Sequence, residues 1–160
     1  MNSMSDLLDV QRILGETILS TNSDAIVAAD KEGVIFFWNP GAERIFGYSR
    51  ADAIGQSLDI IIPEQLRQRH WHGYHHVMKG GASRYDHGDV LAVPGVDKTG
   101  RTISLEFTIA PLRNKCDELI GLVAIVRDVT KRFEETRDLK RKLRAALSTQ
   151  RRSETSDGKH

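Results

Sequence analysis

A single cysteine, Cys116, occurs in the 160 residues, so no disulfide can form within the chain and a reducing, cytoplasmic setting is expected. Neither sign of charge is in excess. The 23 Lys and Arg stand against 22 Asp and Glu, a formal net charge of +1 with no general pull toward nucleic acid or an anionic surface. Long apolar runs are missing, and none approaches the roughly 20 residues that a bilayer-spanning helix needs. The opening MNSMSDLLDV lacks the basic start and apolar stretch of a secretion signal. Neither a nucleic-acid nor a membrane partner is therefore expected. Catalytic signatures are also missing: there is no phosphate-cradling glycine-rich loop, no zinc-helix motif and no nucleophile elbow. The chain reads as a non-enzyme. What is present, 39% hydrophobic and 28% charged residues, describes one globular domain with helical ends.

Four of the six histidines crowd into one stretch, PEQLRQRHWHGYHHVMKG at 63–80. It reads as a helix, with Pro63 preset for a first turn and Gly80-Gly81 as a left-handed stop. At about 100° per residue, Leu66, His70, Gly73, Tyr74 and Val77 share one stripe, and Gln65, Gln68, His72, His75 and His76 lie opposite. Only His70 among these histidines points to the expected core. His72 and His76, four apart, form a bidentate pair on paper, but two further ligands are not indicated and a solvated face is the better reading.

Before this helix, Leu7, Val10, Leu14 and Ile18 recur at helical spacing over 5–20, and this face must bury against its own domain or a second copy. Strands at 25–29 and 34–38 flank a turn, Asp30-Lys31-Glu32-Gly33. Asn39 and Pro40 then cap and open a short helix that buries Ala42, Ile45 and Phe46 before Gly47 ends it. Ser49 caps a further turn stopped at Gly55. After the long helix come strands at 85–93, ended by Pro94 and Gly95, at 101–112, where Ile103, Leu105, Phe107 and Ile109 alternate with polar residues, and at 119–126. Strands and helices are segregated, which argues for an α+β fold with an antiparallel sheet and helices on one face. A charged helix is expected over 131–148, with Phe133, Leu139, Leu143 and Leu147 as a thin apolar seam suited to dimerisation. Its basic residues are interleaved with Glu134, Glu135 and Asp138, so a solvated helix is preferred to a nucleic-acid contact. The tail, 149–160, is expected to be disordered.

Two stretches carry a family resemblance. DAIVAADKEGVIFFWNPGAERIFGYS, with Trp38-Asn39 and Ala42-Glu43-Arg44-Ile45-Phe46-Gly47-Tyr48, and GLVAIVRDVT, ending in Asp128-Val129-Thr130, resemble the PAS domain of signalling proteins over residues 22–130. Residues 1–21 would then be an N-terminal amphipathic helix and 131–148 a C-terminal signalling helix. The resemblance implies a five-stranded antiparallel sheet facing helices across a small cavity. It also implies a sensory role in two-component signalling, as a homodimer with a histidine kinase or response regulator as partner. Asp128, Val129 and Thr130 match the junction that relays a change from sheet to output helix.

A shared fold does not name the ligand. The 63–80 helix is similar to that of heme-bearing PAS oxygen sensors, in which a histidine aligned with His70 holds the iron. By that resemblance Leu66, Tyr74, Val77, Leu91, Leu105 and Phe107 would line the pocket. Those sensors place an arginine or methionine near the distal face, where this chain has neither; His87 is the available distal group. Light-sensing relatives carry a reactive cysteine where this chain has residues 55–64 without one. Two function classes remain: a ligand sensor with heme as the named cofactor, and a cofactor-free interaction or dimerisation module. Another small organic ligand, or an empty cavity, suits the residues equally.

Overall fold

The computed structural model of the chain describes residues 4–80 and 91–157. They divide into two units, the first ending at Asp128 and the second beginning at Val129. The first unit opens with α1 (Met4–Leu19), followed by β1 (Ala25–Asp30), β2 (Ile35–Trp38), α2 (Pro40–Phe46) and α3 (Arg50–Ala53). A 3₁₀ turn (Leu58–Ile61), α4 (Glu64–Met78), β3 (Leu91–Val96), β4 (Thr102–Arg113) and β5 (Leu119–Asp128) complete it. The strands form one five-stranded sheet in the order β2-β1-β5-β4-β3, and each neighbouring pair is antiparallel. The fold is α+β, as expected.

Alternation builds the core. Along β4, Ile103 and Leu105 are buried while Thr102 is exposed, because successive side chains point to opposite faces. These two join Ala25, Val27, Ile35, Trp38 and Val126 from the other strands and Ala42, Ile45, Phe46 and Ala53 from the short helices. Trp38 and Phe46 lie 5.5 Å apart between ring centroids, and the Trp38 indole N–H donates to the Tyr48 carbonyl at 3.1 Å. A bulge in the β1–β2 pairing opposes Ala28 to Phe37 and Ala29 to Ile35. Phe36 is thereby the extra residue and is left 46% exposed, although it sits in an apolar run.

Asn39 is the buried polar pivot of this half. Its Oδ1 accepts from the Ile26 amide at 2.7 Å and from the Ala42 amide at 2.9 Å, the second bond capping α2. Its Nδ2 donates to the Thr21 and Asp24 carbonyls, both at 3.0 Å. Gly47 ends α2 at φ 81°, where a left-handed residue is needed.

Several boundaries differ from expectation. Pro63 stands at the cap of α4 instead of in its first turn, and Gly80 supplies the left-handed stop at φ +83°. Pro94 and Gly95 do not end the third strand; they lie inside β3, paired with Ser104 and Ile103. The edge position explains it, since an edge strand tolerates a missing N–H. Gly95 also leaves room for a neighbour, because a Cβ there would stand 2.4 Å from Leu105 Cδ1. The expected strand residues 85–90 lie outside the described residues. The apolar residues of α1 are not buried on their own domain: Leu7, Leu8, Leu14 and Ile18 are all more than half exposed.

The second unit is α5 (Thr130–Asp157), 28 residues long. It passes the expected end near Ser148 and takes up most of the stretch expected to be disordered. No glycine or proline interrupts the chain until Gly158, and backbone helix needs no apolar content to continue. Phe133, Leu139, Leu143 and Leu147 are exposed on it.

Candidate functional site

The histidine-rich helix is fastened to the sheet by its own side chains. Arg67 donates from Nε to the Ile62 carbonyl at 3.2 Å and from Nη2 to the Asp59 carbonyl at 3.1 Å. Its Nε also lies 3.8 Å from the Asp59 carboxylate, a half-exposed pair contributing at most about 1 kcal/mol. One turn on, the Trp71 indole N–H donates to Asp59 Oδ1 at 2.8 Å. The Trp71 ring also covers Gly33, where an added Cβ would fall 2.2 Å from Cη2. The Tyr74 hydroxyl then reaches the end of β1, where it donates to the Ala29 carbonyl at 3.3 Å and also meets the Asp30 carbonyl. Burial, with the Asp30 and Glu32 charges, pushes the Tyr74 pKa well above its ordinary value, so the hydroxyl stays a donor.

His70 sits inside this frame. Its ring meets Trp71 edge-on at 4.9 Å and Tyr74 at 5.7 Å between centroids. Its Nδ1 is enclosed and has no hydrogen-bond partner among the described residues. Burial lowers the His70 pKa, with a weaker upward pull from the Asp59 carboxylate and a further lowering by His75. Burial thus favours the neutral imidazole, the form that coordinates a metal.

The other expected site residues divide. Tyr74 is buried beside His70, and Leu66 and Val77 are half-buried on the same helix. Leu105 belongs to the buried core cluster, and Phe107 packs against that cluster. Leu91 is placed by its backbone, paired with Phe107. His87 lies outside the described residues. Asp128 is the last residue of β5, paired with Leu105; Thr130 begins α5. Gly73, expected on the inner stripe, is exposed, as are His72, His75 and His76. Among the described residues no group of three or more His, Cys, Asp or Glu is placed to hold a metal ion.

Sequence reasoning missed Trp71 and Asp59. The docking face of α4 is Arg67, His70, Trp71 and Tyr74, rotated by roughly 70° from the stripe drawn through Leu66 and Val77. A visible signal existed: Trp71 and Tyr74 are three apart, the spacing that stacks two aromatics on one face.

This architecture is an α+β fold: a five-stranded antiparallel sheet with the inner helices all carried by the β2–β3 connection. The PAS fold profile matches residues 14–129. The chain belongs to the PAS family. It is 31% identical over 114 residues to the sensor protein FixL of Bradyrhizobium diazoefficiens, covering 71% of this chain and 22% of that protein. With the oxygen sensor protein DosP of Escherichia coli (strain K12) the identity is 29% over 124 residues, 76% of this chain and 15% of that protein. The signal transduction histidine-protein kinase AtoS of Escherichia coli (strain K12) is 29% identical over 142 residues, 86% of this chain and 21% of that protein. The chain thus spans less than a quarter of each of these relatives. A PAS domain from Colwellia psychrerythraea superposes with a TM-score of 0.63 at 23% identity, over 76% of this chain and 98% of that one. Among the described residues, no helix is long and apolar enough to cross a membrane.

Proposed function

We propose that this chain is the sensory module of a signalling protein, that it holds heme through His70, and that it passes a change at its inner wall to α5. The carrying observation is the His70 imidazole: its enclosed Nδ1 is unspent among the described residues, and burial favours its neutral form. An oxygen sensor among the relatives is in keeping with this reading. An imidazole with an enclosed, unpartnered nitrogen is a donor of the type heme iron takes. His70 would supply the iron ligand, and Leu66 and Val77 from α4 with Leu105 and Phe107 from β4 the apolar surround. Bound heme would supply an iron that takes up a diatomic gas.

The protein's own part is to hold and to report. Arg67, Trp71 and Tyr74 fix the helix, and so the direction of the imidazole. On the far wall, Leu105 pairs with Asp128 and Phe107 with Val126 across the β4–β5 ladder. A displacement of those wall residues therefore reaches the end of β5 directly, and Asp128, Val129 and Thr130 carry it into α5. We place the module in the cytoplasm, with a histidine kinase or response regulator downstream and no catalytic step of its own. A homodimer would cover the exposed apolar residues of α1.

The alternative, a cofactor-free interaction or dimerisation module, is favoured by one observation, the uncovered Leu7, Leu8, Leu14 and Ile18 of α1. Reconstitution of purified chain with hemin separates the two. The heme reading expects a Soret band in the wild type that is lost in His70→Ala. A wild type without a band, which still self-associates through α1, supports the alternative.

A further inference from the structure

The segment that follows α1 is bound more heavily than a connector requires. The Thr21 carbonyl accepts from the Gly41 amide at 3.1 Å and from Asn39 Nδ2 at 3.0 Å. Arg44 of α2 donates from Nε to the Asn22 carbonyl and from Nη2 to the Ser23 carbonyl, both at 2.8 Å. Gly41 lies against the Asp24 carbonyl so closely that a Cβ there would stand 2.0 Å from the oxygen. Residues 21–24 are therefore tied to α2 along their length.

At the end of that segment the Asp24 carboxylate meets Arg127 in a two-pronged pair, Nε to Oδ1 at 3.0 Å and Nη2 to Oδ2 at 2.9 Å. The partners are 103 residues apart in sequence. Arg127 is the next-to-last residue of β5, three residues before α5 begins. Across the β4–β5 ladder its pair is Glu106, whose negative charge also favours the guanidinium, while Arg44 adds a second positive charge near Asp24. A two-pronged Arg–carboxylate pair fixes direction as well as distance, unlike a single point contact.

We propose that Asp24 and Arg127 form an ionic latch joining the chain that enters the sheet to the chain that leaves it. The N-terminal helix thereby becomes a second input to the C-terminal helix, independent of the His70 site. A displacement at the α1 end pulls on residues 21–24 and, through the latch, on the last residues of β5. A change at the inner wall reaches the same place from β4. The exit of β5 is where the two inputs add. This goes beyond the sensory reading and stands whether or not the interior holds a ligand.

The test is a double-mutant cycle on the full chain with Asp24→Asn, Arg127→Gln and both together, read by amide hydrogen exchange. Both side chains are at the surface or near it, and the Asp24 carbonyl bond to Asn39 does not depend on the carboxylate, so the variants retain the fold. Each single variant is expected to raise exchange by about 2- to 5-fold both at 21–24 and in the first two turns of α5, the size of an exposed ion pair. Exchange in the middle of the sheet, at Ala29 and Leu122, should stay constant. The double variant should show no more than either single one, because the same bond is lost in all three. High salt should bring the wild type toward the variants. Unchanged exchange in α5, or effects of the two single changes that multiply, would overturn the latch.

Discussion

The indole N–H of Trp71 and the carboxylate of Asp59 are joined at 2.8 Å, and this bond holds the histidine-bearing helix to the turn that precedes it. The Trp71 ring in turn rests on Gly33, which stands at φ +80° in the β1–β2 turn. One side chain thus fixes α4 against two separate parts of the fold.

Trp71→Phe removes the bond, an expected loss of about 1 kcal/mol in chemical denaturation, and with it the outer ring atoms that cover Gly33. Gly33→Ala is expected to cost more, about 1–3 kcal/mol, because it strains a left-handed residue and drives a methyl into the indole. In the Trp71→Ala background the clash is gone and only the backbone cost remains, so the two changes should be clearly non-additive.

Asn39→Ala removes four hydrogen bonds from a side chain that is 1% exposed. It leaves the Ile26 and Ala42 amides and the Thr21 and Asp24 carbonyls to find other partners. A loss of about 3 kcal/mol is expected, with the transition in urea still cooperative.

Acid should weaken the β3–β4 turn. Asp97 accepts from the Thr99 hydroxyl at 2.7 Å and from Arg101 Nε at 3.0 Å, and these bonds hold its pKa at about 2. The folded pKa lies below the unfolded one, so the contribution is complete above about pH 4 and is lost as pH falls through the folded value. Asp97→Asn should therefore remove part of the acid limb of the stability profile between about pH 4 and pH 2 and change its slope little at neutral pH.

Local signals were legible in the sequence. Asn39-Pro40 and Gly47 marked α2 because capping and the left-handed stop involve only nearby backbone. The alternation through Ile103, Leu105 and Phe107 marked the core face of β4 because a strand has only two faces. What escaped depended on distant partners. The rotation of α4 is set by the Asp59 carboxylate and the bare Gly33, neither of them on that helix. Pro94 and Gly95 looked like a strand end because nothing local says that β3 is an edge. The length of α5 escaped for another reason: the polar residues after Ser148 suggested no burial, yet an exposed helix does not require any. The inward position of His70 followed from its periodicity, whereas its neighbour Trp71 was passed over although it fixes the helix.

Loss of the relay should be separable from loss of the fold. Asp128→Ala is expected to raise hydrogen exchange in α5 while leaving the melting of the β-sheet within about 1 kcal/mol of wild type. Equal protection of α5 in both proteins would remove Asp128 from the relay.

The most direct test of the central claim is a hemin titration of wild type, His70→Ala, and His70→Ala with added imidazole, followed by visible absorption. The account predicts a saturable Soret band in the wild type, its loss in the variant and its return with imidazole, which replaces the missing ligand. A band of equal strength in His70→Ala without imidazole, or none in the wild type, would contradict it.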